Sequence, residues 1–287
     1  MTIFVNILRQ SSKSLPAPMR QQLKYVLFQA SFLRESLFND WRWRRVTEDI
    51  PLPPPKLRHR VHGAADAQSF LTIGRETAQT LKKALKLNHQ DISTFEDVLD
   101  FGCGCARVLR WFKDYSGPTH FYGCDIDEEA ISYSQQALPF ACFQVTKPLA
   151  PLPYPDEKFD LVSGISVLTH LNEDHQFFYL KELHRITKPG GTVFLSTNGD
   201  YVQHLYLSSD ELGELKRNGI LFKRSSQGPF KLDGLPEFYQ DTFHMREYIL
   251  DKWSKFFKIL LISERGLNNH QDLVMLQKPE KSNNLLN

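Results

Sequence analysis

The stretch Leu99–Arg110, LDFGCGCARVLR, sets two glycines and two cysteines behind an aspartate, between an apolar run and a helix-like segment. Three chemistries compete for it: a metal clip, a redox pair and a nucleotide cradle. The chain has four cysteines, Cys103, Cys105, Cys124 and Cys142, and none forms a C-x-x-C. No distant cysteine or histidine group has zinc-finger spacing, so no metal site is expected. Glycines at a strand-to-helix turn let the backbone approach a ligand and adopt conformations other residues avoid. That favours the cradle. A dinucleotide fingerprint places a third glycine at position 107, where this chain has Arg107. A phosphate loop needs G-K-[ST], which is absent. The pattern is D-x-G-x-G-x-A, from Asp100 through Gly102 and Gly104 to Ala106.

Working outward, strand and helix patterns alternate. DVLDF reads as a buried strand and RVLRWFKDY as a helix. HFYGCDI is the next strand, EEAISYSQQAL a helix, and FACFQV a third strand. FDLVSGI is a fourth, EDHQFFYLKELHRIT a helix, and KPGG turns into the strand TVFLST. Such alternation predicts an α/β protein whose parallel sheet carries helices on both faces. FKILLISERG and QDLVMLQK are close enough to pair as an antiparallel C-terminal hairpin. In such sheets ligands collect at the carboxyl ends of the strands. Asp125 closes the second strand, where a carboxylate can accept hydrogen bonds from both hydroxyls of a ribose. Asp127 is the better cap for the helix starting near Glu128, which leaves Asp125 for a ligand.

The rest of the chain is ordinary in composition, 41% hydrophobic and 24% charged. No run approaches the ~20 apolar residues of a membrane-spanning helix, and without a basic segment followed by an apolar one and a small-residue cleavage site near Met1, export is not expected. Few cysteines fit a reduced, cytoplasmic setting. Charge is uneven: residues 1–60 hold 11 Lys/Arg against 4 Asp/Glu (+7), leaving 24 against 29 (−5) for the remainder. A helix is expected over about 19–45, with Leu23, Val26, Leu27, Ala30, Leu33, Leu37 and Trp41 at three- and four-residue steps. PLPPP at 51–55 ends it as a stiff linker. Another helix is expected over 66–86. The domain reading is therefore a basic helical extension with linker (1–60), a main domain (61–279) and a tail (280–287).

These motifs resemble those of the class I S-adenosylmethionine-dependent methyltransferases. VLDFGCGCARVL resembles the family's first motif and YGCDID its ribose motif. LPYPDEKFDLV and ELHRITKPGG resemble the segments leading to its fourth and fifth strands. The set spans about 95–200. The resemblance implies a Rossmann-like, doubly wound, mostly parallel seven-stranded sheet, with 201–255 as the variable substrate cap. It implies S-adenosylmethionine as cofactor, with Gly102, Cys103 and Gly104 under its methionine and ribose portions. Asp100 would hold the loop or reach the amino group. Asp125 would take the ribose hydroxyls and Ile126 the adenine, and Ile165 and Ser166 would face the methyl-donor end. Two departures stand out. Ala106 replaces the family's third glycine, which is tolerable if its φ stays negative. The acidic residue often found after the third strand is absent from FQVTKP, leaving Gln144 and Thr146 as substitutes.

Methyl transfer from a sulfonium needs alignment and exclusion of water, and a base where the acceptor is a hydroxyl. His170 and His244 are the candidate bases. Tyr239 and Asn198 are candidates to orient an acceptor, and Arg246 to hold an anionic one, although a surface ion pair with Glu247 is the preferred reading of that arginine. No N-P-P-Y motif follows the fourth strand, no Pro-Cys nucleophile is present, and no basic aromatic stripe crosses the core. The expected acceptor is a small molecule, anionic or lipid-linked, not nucleic acid. Trp41, Trp43 and their arginines could meet a membrane surface, although packing on the core is the favoured reading. A non-catalytic cofactor-binding protein and an NAD(P) oxidoreductase are the alternatives.

Overall fold

The computed structural model describes residues 16–47, 50–224, 236 and 238–280. Four strands that the alternation predicts, β1 (Asp97–Phe101), β2 (His120–Asp125), β3 (Ala141–Val145) and β4 (Phe159–Gly164), run parallel with β5 (Thr187–Thr197). β8 (Lys258–Leu267) and β9 (Gln271–Gln277) form the C-terminal hairpin, and β9 inserts antiparallel between β5 and β8. The sheet order is β3-β2-β1-β4-β5-β9-β8, so the chain reverses its winding between β1 and β4. That switch point sits at the glycine loop. β1 is buried at every position, and its apolar residues Val98, Leu99 and Phe101 pack into the cores on the two faces of the sheet.

Side-chain caps start the helices that frame the site. α3 (Ala67–Leu87) opens on Asp66, whose carboxylate accepts from Ser69 N at 2.7 Å. It buries the face carrying Phe70, Leu71, Ala78, Leu81 and Leu85. α4 (Glu128–Ala137) is capped by Asp127, which accepts from the backbone of Glu129 and Ala130. α5 (Glu173–Ile186) is capped by Asn172. Between β5 and the hairpin lie α6 (Asp200–Tyr206), α7 (Ser209–Asn218) and α8 (Arg246–Lys252), with a small antiparallel sheet of β6 (Ile220–Lys223) and β7 (Asp241–His244). This is the segment expected as the cap. Its residues 225–235 and 237, and 281–287 of the expected tail, lie outside the described residues.

Several expectations need correction. The glycine loop passes into a 3-10 stretch, Leu109–Tyr115, rather than an α-helix. Ala106 stands at φ +57°, not the negative value expected, and a left-handed residue there blocks a regular helical start. KPGG is not a turn before the strand but a bulge inside β5, where Gly190 N donates to Lys278 O at 2.9 Å. The N-terminal helix α1 (Ala17–Phe38) stops short of 45 and gives way to a 3-10 stretch, Asp40–Thr47. PLPPP does not act as a linker alone. Pro55 is the first residue of α2 (Pro55–His62), where its missing N–H is no loss.

The expected 60/61 boundary therefore falls inside α2, which packs into the main domain through Leu57, beside Phe70, Leu71, Cys105 and Ala130. Arg58, fully buried in α2, binds both carboxylate oxygens of Asp40 and the carbonyls of Pro53 and Ala65. α1 rests on α2 through Phe28 and Phe32, whose rings meet His59 at centroid distances of 4.9 and 5.6 Å. Its other face is open: Met19, Val26, Leu33 and Leu37 are exposed, and so is Trp41 at 60%. The packing expected for Trp41 is not made, whereas Trp43 does pack on the core.

Candidate active site

The carboxyl ends of β1, β2 and β4 open into a cavity of about 670 Å³, within the range of small-molecule sites. Asp100, Gly102, Cys103, Gly104, Asp125, Ile126, Ile165, Ser166 and His170 all line it. His244 does not. It is buried against Gln176 Oε1 at 2.9 Å and beside Trp253, and burial alone pushes its pKa down to about 3. A histidine packed this way is a structural element of β7, so the expectation of a base at 244 is corrected. Asn198 is likewise buried, donating to Thr242 O and accepting from Gln271. Arg246 sits outside the cavity, 3.9 Å from Glu264 rather than Glu247. Thr146 lines the cavity, but Gln144 is exposed on β3 and outside it.

Two carboxylates flank the loop. Asp125 takes the Gly104 N–H on Oδ2 at 2.7 Å and the Asp127 N–H on Oδ1 at 2.9 Å. Each oxygen keeps a further lone pair for a ligand hydroxyl. Burial raises the pKa of Asp125, and the backbone donors partly offset this. Asp100, 5% exposed, accepts from Ser163 Oγ at 2.9 Å. Burial pushes it up to about 7, against the Ser163 bond and the charge of Arg107, with Asp125 adding to the rise. The loop backbone is pinned by Gly102 N and Cys103 N, both donating to Cys124 O. Three of the four cysteines, Cys103, Cys105 and Cys124, are buried packing groups, and burial drives Cys105 up to about 12, whereas Cys142 is exposed.

The sign of the Asp100 shift fixes a pH dependence. Its pKa is raised, so the folded ligand-free chain holds a proton between about pH 4 and 7 that the unfolded chain releases. Stability therefore falls as pH rises through that window, by up to ~4 kcal/mol at ~1.36 kcal/mol per unit. Urea unfolding at pH 5 and pH 8 should show that loss in the native chain and a smaller one in Asp100→Asn. Equal slopes in the two proteins would remove Asp100 as the cause.

Past β4, Ser166 stands at φ +60°, with its N–H donating to Ser196 Oγ at 2.7 Å and its hydroxyl to Gln271 at 2.9 Å. His170 ends a short 3-10 turn, with Nδ1 2.8 Å from Gln240 O. A carbonyl only accepts, so Nδ1 donates this bond. The Tyr239 ring stacks on His170 at 4.2 Å, and its hydroxyl donates to Ser166 O. α2 closes the opposite side. Arg60 holds both oxygens of Asp127, and Val61 packs over Gly104. The strand–helix alternation that locates the other site elements does not anticipate this helix at the site. The signal that could have found it is Pro-Pro-Pro followed by KLRHRVH, a proline-started helix. Arg107, Glu76, Asn268, His270 and Gln271 also line the cavity and were not anticipated there.

A parallel sheet with this winding and antiparallel end, and a glycine loop between two strand-end carboxylates, define a class I S-adenosylmethionine-dependent methyltransferase fold. Residues 99–195 match the family described as "Methyltransferase domain", and S-adenosylmethionine is the cofactor of this class. The chain is 28% identical over 137 residues to the tRNA N(3)-cytidine methyltransferase METTL2 of Gallus gallus, covering 44% of this chain and 37% of that protein. It is 26% identical over 204 residues to the human mitochondrial 2-methoxy-6-polyprenyl-1,4-benzoquinol methylase, covering 63% and 58%. The chain thus spans well under two thirds of these relatives. Among solved structures, the PH0226 protein of Pyrococcus horikoshii superposes with a TM-score of 0.50 at 17% identity, covering 73% of this chain and 95% of that one.

Proposed function

We propose that this methyltransferase acts on a small molecule, and that the residues lining the cavity divide between cofactor and acceptor. The donor set suits the cofactor: Asp125 has free lone pairs for ribose hydroxyls, Asp100 an acidic oxygen for an ammonium, and Gly102–Gly104 a close backbone. S-adenosylmethionine supplies an electrophilic methyl on a sulfonium sulfur. The chain's own work is to align and to exclude water. Ser166 and Ile165 would border the methyl end, His170 would take a proton at Nε2 from a hydroxyl acceptor, and Tyr239 would fix the imidazole plane.

One observation carries the small-molecule reading: the His170–Tyr239 pair lies inside a walled cavity and not on an open basic surface. The net −5 of residues 61–287 points the same way. One relative is a tRNA enzyme and another a polyprenyl-quinol methylase, so both acceptor classes belong in the test. The open apolar face of α1, with Trp41 and exposed Arg42 beside it, supports an anionic lipid surface as the contact of the basic segment.

Calorimetry should show S-adenosylhomocysteine binding and NAD not binding. Incubation with labelled methyl donor should then label a metabolite fraction and not tRNA, with His170→Gln slowing turnover by roughly 10²–10⁴ at unchanged cofactor affinity. Labelled tRNA would overturn the small-molecule reading, full turnover in His170→Gln would remove the base, and no co-sedimentation with anionic vesicles would remove the lipid contact.

A further inference from the structure

α2 is a wall of the cavity that does not stand on its own. His59, Arg60, Val61, His62 and Gly63 line the cavity from this helix, and its eight residues are too few for a helix to hold itself in water. Its ties run in two directions. Toward the site, Arg60 reaches Asp127 at 2.8 Å and Glu129 at 3.0 Å, Lys56 reaches Glu129 at 2.8 Å, and Val61 packs over Gly104. Asp127 in turn donates its backbone N–H to Asp125, the candidate ribose carboxylate. Ion pairs as open to water as Lys56–Glu129 hold weakly.

Away from the site, α2 is held by α1 and the residues that follow it. Phe28 and Phe32 set their rings against His59, itself a cavity residue, and Asp40 takes the fully buried Arg58 on both carboxylate oxygens. Phe28 and Phe32 occupy one side of α1. Met19, Val26, Leu33 and Leu37 form an exposed stripe on the other. Tyr25, Arg34 and Trp41, residue types that favour a lipid–water boundary, are exposed as well. Residues 17–47 carry six Lys/Arg against two Asp/Glu, and one of those acids, Asp40, is paired with Arg58. Residues 61–287 are net −5, so an anionic surface attracts the α1 side and repels the rest.

We propose that an anionic lipid surface, bound along the stripe of α1, tightens the cofactor site by holding α2 in place over the glycine loop. The inference rests on the cofactor and lipid-contact readings given above. The two faces of α1 have different partners, so lipid on one does not displace α2 from the other. A helix fixed in the plane of a bilayer has already lost the freedom that docking on α2 removes. Cofactor acts from the opposite end: filling a cavity walled by α2 favours the docked helix, and with it the presented stripe. Each ligand therefore raises the affinity for the other by one common factor.

Calorimetry with S-adenosylhomocysteine, run on the full chain with and without vesicles of mixed phosphatidylglycerol and phosphatidylcholine, measures that factor. Its expected size is roughly 5-fold or more, and it should vanish with phosphatidylcholine alone. The ligand carries no net charge, so the surface itself does not concentrate it. Co-sedimentation with the mixed vesicles should tighten by the same factor when S-adenosylhomocysteine is added. Leu33→Asp should lose vesicle binding and keep the native affinity for the ligand without vesicles. Phe28→Ala/Phe32→Ala should still sediment and lose the factor; should that variant misfold, Phe28→Ala alone should shrink it. Sedimentation without any change in ligand affinity overturns the coupling and leaves the lipid contact standing. No sedimentation overturns both, and a dimer in light scattering would then give the stripe to a second copy. If S-adenosylhomocysteine binds in neither condition, the cofactor reading fails, and hydrogen exchange at α2 decides: slower exchange on vesicles supports the hold on α2, and unchanged exchange overturns it.

Discussion

Asp125→Ala should weaken S-adenosylhomocysteine binding by two to four orders of magnitude in calorimetry. The carboxylate is at work on both sides of the loop. Its Oδ2 holds Gly104 N and its Oδ1 holds Asp127 N, so it ties the glycine loop to the start of α4. The remaining lone pairs are those a ribose diol would use. Two charge-assisted bonds at ~1.5–3 kcal/mol each give ~3–6 kcal/mol, hence the range. The alanine also frees two backbone donors beside the cavity, which adds loop disorder to the lost contacts. Asp125→Asn separates the effects. An amide keeps one acceptor for the loop and loses the symmetric pair for the diol, so its affinity should fall between the two. Unchanged affinity in Asp125→Ala would remove the ribose role altogether.

The residues that were legible beforehand share a property. Asp100, Gly102, Gly104, Asp125 and Ser166 sit at strand ends, and a strand of known register fixes where its last residue points. Asp127 was legible as a cap for the same local reason. What was hidden depends on contacts distant in sequence. His244 has the same residue type as His170, but its neighbours Gln176 and Trp253 come from other elements, and they bury it. α2 was masked because a proline run reads as a helix stop, whereas Pro55 is a helix start. Ala106 is tolerable in place of a glycine at negative φ, yet it stands at φ +57°, which residue type alone does not reveal. Arg107 illustrates the limit best. In the sequence it marks a missing glycine, and its burial beside the cavity depends on contacts distant in sequence.

Gly102→Ala should destabilise the chain by ~2–5 kcal/mol and sharply reduce both cofactor binding and turnover. Gly102 stands at φ +69°, and a Cβ built there would lie 2.3 Å from Val167 Cγ2. The left-handed backbone contributes ~1–2 kcal/mol and the overpacking ~1–3 kcal/mol. Neither strain relaxes cheaply. Gly102 N is committed to Cys124 O, and Val167 is a β-branched residue between Ser166 and the turn carrying His170. Moving Val167 therefore moves the methyl-end residues. Adding Val167→Ala should restore the packing share of the loss and leave the backbone share, a coupling that a double-mutant cycle measures by urea unfolding. Gly104→Ala is the control, since its Cβ would meet Val61 Cγ1 of α2 at 2.4 Å. That variant strains α2 and leaves the His170 turn in place. It should lower cofactor affinity while the Val167→Ala change gives it no rescue. Rescue of both glycine variants by Val167→Ala would show that the strain is not localised as the two contacts require.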